Sequence, residues 1–237
     1  MGDRPVVVIT GSSRGIGRGL AEFFLERDCS VVGCSRGPST FEAPLYQHAE
    51  VDVGDEKQVR EWVRSIKTTH GRTDVLICNA GLVRSALLLT VTPGDVLEGF
   101  LRTNVAGVYY VLREISKVMI LRGYGRIITV SSMLTALHEE GTSAYSAAKA
   151  AVTEITKVAA RELAPCGITC NVIAPAVTMT GPAEALATNG DWQQRMLEKQ
   201  TIKRPLTIAE ICHAAAFLAA PESGCITGQV ITLGLVT

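Results

Sequence analysis

Short apolar runs rich in β-branched residues alternate along the chain with longer stretches of helical periodicity. Residues 5–10 are almost unbroken apolar, as in a strand covered on both faces. A glycine-rich turn over 11–17 follows, and residues 19–27 then carry apolar positions 20, 21, 23, 24 and 25, a helical pattern. The same alternation predicts strands at 30–34, 45–51, 74–78, 126–130, 167–173 and 228–233. Helices are predicted over 55–69 with Asp55 as cap, mainly over 93–122, over 143–164, and over 207–220 with Thr207 as cap. Pro38 and Pro44 break the segment 37–44, which is too short for a full helix, and residues 133–142 read as a loop. Residues 177–204 are polar, hold Gly181, Pro182, Gly190 and Trp192, and read as a substrate-binding loop. No internal repeat interrupts the alternation. The pattern predicts one domain over 1–237, a doubly wound parallel α/β sheet with ligands at the carboxyl ends of its strands.

Composition narrows the function classes. Lys plus Arg and Asp plus Glu number 23 each, so a zero formal charge gives no footprint for nucleic acid or an anionic membrane. Apolar runs are too short for a spanning helix or a signal peptide, which points to a cytoplasmic protein without membrane partners. The seven cysteines are scattered without a Cys-x-x-Cys and read as reduced core residues. His48, His70, His138 and His213 have no metal-ligand spacing, so no metal is expected. Of these, only His138 falls near the candidate site, where a solvated loop residue is the better reading.

The chemistry gathers at Tyr145 and Lys149, four apart in an alanine-rich helical run and so on one face. A free phenol titrates near about 10, and a neighbouring cation lowers that value towards the range a general acid or base needs. Taken alone, the pair also fits an amphipathic helix with a snorkelling lysine. The glycine turn supplies a second signal. Gly11 permits a tight turn, Gly15 a close backbone approach to a pyrophosphate and Gly17 close helix packing, while the following helix offers free N–H groups. At the end of the second strand stands Ser35 where an NAD site has an acidic residue. Arg36 beside it and Arg14 in the glycine loop suit a phosphate on the adenosine ribose, so NADP(H) is the expected cofactor.

With Thr10-Gly11-x-x-x-Gly15-Ile16-Gly17, Asp52-Val53, Asn79-Ala80-Gly81, Asn104, Ser132, Tyr145-x-x-x-Lys149 and 171–175 in order, the chain resembles the short-chain dehydrogenases/reductases over nearly its full length. Within them it is most similar to the 3-oxoacyl-(acyl-carrier-protein) reductase branch. The resemblance implies a Rossmann-type sheet of about seven strands flanked by helices. It implies that Tyr145 protonates a carbonyl oxygen and that Lys149 lowers the tyrosine pKa and holds the nicotinamide ribose. Ser132 would bind the substrate oxygen, and Asn104 would fix a water that relays protons to Lys149. It extends the cofactor-binding set to Ser13, Ile16, Asp52, Val53, Asn79, Ala80, Gly81, Pro175, Val177 and Thr180. An apolar substrate pocket is expected from Val83, Leu134, Leu137, Val177, Met179, Trp192 and Met196.

The expected activity is NADPH-dependent reduction of a carbonyl, or oxidation of the secondary alcohol, with a 3-oxoacyl thioester among the candidate substrates. The rival is a nucleotide-binding regulatory protein of the same fold without turnover. A homotetramer or homodimer is expected, through the small residues Ala144, Ala147, Ala148, Ala151 and Ala159. The chain departs from the family pattern at Cys78, at Ala176 and at its last residues. The short segment after Arg36 is expected to leave the adenine side open. Positions that carry basic carrier-docking side chains in the branch are Gly123 and Cys166 here, so dedicated carrier recognition is not expected.

Overall fold

The structure is a computed structural model describing residues 4–83, 86–178 and 190–237. Seven parallel strands form one sheet in the order β3-β2-β1-β4-β5-β6-β7. They are β1 Val6–Thr10, β2 Ser30–Ser35, β3 Tyr46–Glu50, β4 Val75–Cys78, β5 Gly125–Val130, β6 Ile168–Pro175 and β7 Val230–Leu233. The chain builds outwards from β1 to β3, returns to place β4 on the other side of β1, and then builds outwards the other way. At this switch point the loops after β1 and β4 diverge and open a crevice.

The continuous apolar runs are explained by two cores. Val6 and Val8 of β1 enter one core and Val7 and Ile9 the other, and none is more than 3% exposed. Helices α1 (Gly15–Leu25) and α8 (Ile208–Ala219) close one face, with Leu20, Phe24, Cys212 and Leu218 buried. Helices α2 (Glu56–His70), α4 (Gly107–Ile120) and α6 (Ser143–Leu163) close the other, through Trp62, Ile66, Ile115 and Val152. Both expected caps are present. The Asp55 carboxylate accepts from the N–H groups of Lys57 and Gln58. The Thr207 hydroxyl accepts from the Glu210 N–H at 3.3 Å, while the Glu210 carboxylate accepts from the Thr207 N–H at 2.8 Å, a capping box.

Residues 93–122 are not one regular helix. They form α3 (Gly94–Phe100), a π-helical turn (Leu101–Ala106) and α4. The wide turn carries Asn104, whose Oδ1 accepts from the Leu82 N–H at 2.6 Å and whose Nδ2 donates to the Leu82 carbonyl at 3.1 Å. The loop expected over 133–142 contains a short helix α5 (Leu134–Leu137), closed by His138 in the left-handed region with φ 51°. Helix α7 (Gly190–Lys199) occupies part of the segment read as irregular. Its sequence is mostly polar, yet its Met196 is fully buried. All seven cysteines are free thiols, but Cys225 is exposed and Cys166 half-buried, so the core reading fails for these two. Among the described residues no helix is long and apolar enough to cross a membrane, and no cluster of metal-ligating side chains occurs.

Candidate active site

An elongated cavity of about 660 Å³ fills the switch-point crevice, from the glycine loop at one end to α6 at the other. Its first end is built from backbone. Gly11 has φ 70°, and a side chain there would meet the Ala80 Cα at 2.9 Å. A Cβ on Gly17 would lie 2.1 Å from the Gly11 carbonyl oxygen. Asn79 locks this packing by donating from Nδ2 to the carbonyls of Thr10 and Gly11, both at 3.1 Å. Arg14 at the N-cap supplies no capping side chain, and the first turn of α1 holds no acidic residue. The helix therefore presents unspent N–H groups beside a wall formed by Ser13, Arg14, Gly15 and Ile16, a seat for an anion.

The adjoining side is closed rather than open. Residues 36–45 fold back on the glycine loop, where the Thr40 hydroxyl donates to the Ser13 carbonyl. Phe41 stacks on Tyr46 at 4.3 Å, and the Arg18 guanidinium lies 5.4 Å from the Phe41 ring. Gly37, Pro38, Ser39 and Thr40 thus become cavity wall. Ser35 donates its hydroxyl proton to the Gly37 carbonyl at 2.8 Å, so in this state it is a neutral wall position and not a free donor. Arg14 and Arg36 both line the cavity, and neither takes part in an ion pair among the described residues. Asp52 is held by the Gly54 N–H at 2.9 Å and by an ion pair with Arg102.

The other end is built from side chains. Tyr145 and Lys149 lie one turn apart on α6, and Ser132 follows β5. The Ser132 hydroxyl bonds Tyr145 and accepts from the Leu134 N–H at 3.2 Å. Phe100 packs edge-on against the Tyr145 ring at 5.7 Å. Lys149 is 6% exposed, and its ammonium donates to the Val130 carbonyl at 2.7 Å, 5.9 Å from the Tyr145 ring centre. Burial pushes the Tyr145 phenol up to about 12, against a smaller opposite effect of the Ser132 hydrogen bond. Burial pushes Lys149 down to about 8. The buried Cys78 thiol beside it is pushed up and stays neutral, so it offers no countercharge. The expected lowering of the tyrosine pKa is thus absent from this state. Desolvation dominates, and one of the ammonium's three donors is held by the Val130 carbonyl.

Curated relatives settle the family. The family model described as enoyl-(acyl carrier protein) reductase matches residues 11–234. The 3-oxoacyl-(acyl-carrier-protein) reductase FabG of Vibrio harveyi is 32% identical over 232 residues, covering 95% of this chain and 94% of the relative. That of Staphylococcus epidermidis is 33% identical over 236 residues, covering 94% and 95%. The chain is a short-chain dehydrogenase/reductase. Among solved structures, ElxO with NADP bound superposes on this chain with TM-score 0.89 at 30% identity, covering 97% of this chain and 96% of that one. A gluconate 5-dehydrogenase from Burkholderia cenocepacia, in complex with NADP and tartrate, superposes with TM-score 0.91 at 29% identity, covering 98% and 94%.

On this dehydrogenase/reductase frame most of the sequence-predicted residues meet in one cavity. Gly11, Ser13, Arg14, Gly15, Ile16, Ser35, Arg36, Asp52, Val53, Asn79, Ala80, Gly81, Ser132, Tyr145, Lys149, Pro175 and Val177 line it. Gly17 and Asn104 lie behind its wall, and Thr180 and Met179 fall outside the described residues. Of the apolar set, Val83, Leu134, Val177 and Trp192 face the cavity. Met196 is fully buried in a separate core with Leu206, and Leu137 packs on that core. Gly123 and Cys166 precede β5 and β6, at the amino ends of the strands and away from the cavity, so in this chain they do not flank its mouth. Thr40, Thr103, Gln193 and the Tyr46–His48 pair behind Ser35 were not foreseen. The period-two placement of Tyr46 and His48 on β3 was the one local signal for the last two.

Proposed function

We propose that this dehydrogenase/reductase is an NADP(H)-dependent carbonyl reductase acting on a compact, largely apolar ketone or thioester substrate. The observation that carries the reading is the cavity's two ends. Ser132, Tyr145 and Lys149 converge at one, while the other holds two arginines that form no ion pair among the described residues, an uncapped helix N-terminus and no carboxylate at Ser35. The NADP bound in the related ElxO and gluconate 5-dehydrogenase structures supports the same cofactor. The residues that would hold it are Gly11, Ser13, Gly15 and Ile16 at the diphosphate, Arg14, Ser35 and Arg36 at the adenosine phosphate, Asp52 and Val53 at the adenine, and Tyr145 and Lys149 at the nicotinamide ribose. When bound, it supplies or accepts hydride.

The side chains then do the proton chemistry. A phenol at about 12 keeps its proton at neutral pH, so Tyr145 is a donor to the oxygen of a carbonyl undergoing reduction. Ser132 donates a second hydrogen bond to that oxygen, where negative charge develops. Lys149 is charged below about pH 8 and stabilises the tyrosinate left behind. A Cβ on Gly81 would sit 3.4 Å from Asn104 Oδ1 and 3.6 Å from Lys149 Nζ. The small gap glycine leaves there suits a water carrying protons back to Lys149, with Asn104 as its anchor. The apolar wall of Val83, Met133, Leu134, Ala176, Val177 and Trp192 sets the substrate class, and FabG relatives make a 3-oxoacyl thioester one candidate within it.

Turnover of NADPH and NADH with an activated ketone is the test. The parent is expected to favour NADPH in kcat/KM by about 10² to 10³, and Ser35→Asp to erase that preference by placing a carboxylate against the phosphate. Equal use of both cofactors overturns the assignment, and absence of turnover with every carbonyl returns the regulatory reading. We further propose a homo-oligomer. Of the alanines expected to make the contact, Ala148 and Ala159 are buried inside the subunit, whereas Ala147 is exposed and Ala144 and Ala151 are half-buried. Tyr109 on α4 and Val158 on α6, 48% and 57% exposed, remain as apolar surface for a partner copy. A monomer by light scattering at micromolar concentration removes this proposal.

A further inference from the structure

Behind Ser35 runs a chain of hydrogen bonds that the reaction does not use. The Ser12 hydroxyl lies 2.8 Å from the Tyr46 phenol oxygen, and that oxygen lies 2.8 Å from His48 Nδ1. His48 Nε2 lies 3.0 Å from both the Gly37 carbonyl oxygen and Ser35 Oγ. Space for the chain depends on Gly33, where a Cβ would meet Ser12 Oγ at 2.2 Å and the Tyr46 oxygen at 2.4 Å.

Both ends of the chain are carbonyls, which only accept. At the Gly37 end, His48 Nε2 must therefore carry a hydrogen. With one ring hydrogen, Nδ1 accepts from the Tyr46 O–H, and Tyr46 accepts from the Ser12 O–H. With a second ring hydrogen, every bond reverses. Nδ1–H donates to Tyr46, Tyr46 donates to Ser12, and Ser12 donates to the Cys34 carbonyl, which lies 3.4 Å from its oxygen. Either protonation state is accommodated by turning two hydroxyls, with no donor left without an acceptor.

We propose that this chain couples recognition of the ribose 2′-phosphate to a proton on His48: the second ring hydrogen puts a positive charge behind Ser35 and so tightens binding of the phosphorylated ribose. The inference rests on the NADP(H) reading above. The charged groups around His48 are of both signs, the acidic ones being paired or exposed, and Glu50 stands opposite Ser35 in the β2–β3 register. Arg36 adjoins Ser35, Arg14 stands in the glycine loop, and Arg18 pairs with Glu22 at 2.8 Å. Burial pushes the Tyr46 phenol up and the Cys34 thiol up to about 12, so both stay uncharged. Glu42 in the connecting segment and Glu50 on β3 are exposed, and no ion pair joins either to His48 among the described residues. A third cation joining Arg14 and Arg36 thus adds attraction for a dianion without an internal carboxylate to cancel it.

Affinities for 2′,5′-ADP and for 5′-AMP, measured calorimetrically from about pH 5.5 to pH 8.5, read this directly. The phosphate also titrates there, near about 6, but identically for every variant. The measured quantity is the advantage of 2′,5′-ADP over 5′-AMP. His48→Gln keeps a donor towards Gly37 and an acceptor towards Tyr46 but cannot charge. The parent advantage is expected to exceed that of His48→Gln by about tenfold at about pH 6 and to converge within about twofold at about pH 8.5. Tyr46→Phe leaves a second ring hydrogen without an acceptor and is expected to follow the glutamine variant. Unchanged 5′-AMP affinity shows that each variant keeps its fold. A parent-to-variant ratio constant with pH overturns the proton linkage, including the case in which His48→Gln weakens binding equally at every pH. No 2′,5′-ADP advantage in the parent at any pH overturns the NADP(H) reading itself.

Discussion

At the glycine-loop end of the cavity, distances are set by backbone against backbone, with Asn79 tying Thr10 and Gly11 to the end of β4. At the α6 end they are set by side chains whose charge states burial has moved, Tyr145 upwards and Lys149 downwards. The first end tolerates no added atom, whereas the second tolerates replacement of its atoms but not loss of their proton chemistry. Binding and catalysis should therefore come apart under mutation, each failing at its own end.

The largest separation is expected from Tyr145→Phe. The ring remains to pack edge-on against Phe100, and the change removes one oxygen. General acid catalysis contributes about 10² to 10⁴, and loss of an oxyanion donor adds to that. The variant should lose at least about 10³ in kcat while its NADPH affinity by fluorescence titration falls by no more than about tenfold, the loss of one hydrogen bond to the ribose. More than about a tenth of parental kcat would remove Tyr145 from its role.

Gly17→Ala should fail in the opposite sense. Its Cβ would fall 2.1 Å from the Gly11 carbonyl oxygen and 2.4 Å from Asn79 Nδ2, so α1 must move away from the loop. Overpacking of this kind costs about 1–3 kcal/mol and displaces the N–H groups that face the anion. NADPH affinity should fall by at least about tenfold, with destabilisation in urea of that same size. Parental affinity in this variant would mean that the close approach of α1 to the loop is not what seats the cofactor.

The same contrast separates what the sequence disclosed from what it hid. Backbone-built features leave a mark in the chain, because only glycine fits at Gly11 and Gly17 and because a run such as that of β1 must be apolar throughout to enter two cores. Tyr145 and Lys149 were legible for a similar reason, since helical spacing fixes which residues share a face. The state of those side chains was not legible. Whether a lysine lowers a neighbouring phenol depends on how much water each has lost and on where the ammonium points, and both are tertiary properties. The wall made by Ser39 and Thr40 arises from residues 36–45 folding onto Ser13 from a distance in sequence, and the π-turn at Asn104 arises from a tertiary bond to Leu82. Neither has a periodicity to read.

The smallest effect expected is also the one that tests the electrostatic half of the contrast. Lys149 has a pKa of about 8 against 10.5 for an ordinary lysine, because burial penalises its charge. Between these values an unfolded lysine binds its proton and the folded one does not, so the contribution of Lys149 to stability rises as the pH climbs from about 8 towards 10.5, and its full penalty stands below about pH 8. Lys149→Met removes the charge and keeps the length of the side chain. At about 1.4 kcal/mol per unit, the relief of desolvation amounts to about 3 kcal/mol, offset by about 1 kcal/mol for the Val130 carbonyl left without its donor. The variant should thus be inactive yet more stable than the parent by about 1–2 kcal/mol at neutral pH. The gap should narrow as urea denaturation is repeated at rising pH. Kept below about pH 10, the comparison stays clear of the opposite trend from Tyr145, whose raised pKa makes ionisation in the unfolded chain destabilising above that point. A variant less stable than the parent at every pH would mean that Lys149 is held by its bond to Val130 at no net electrostatic cost, and that the two ends of the cavity are built alike.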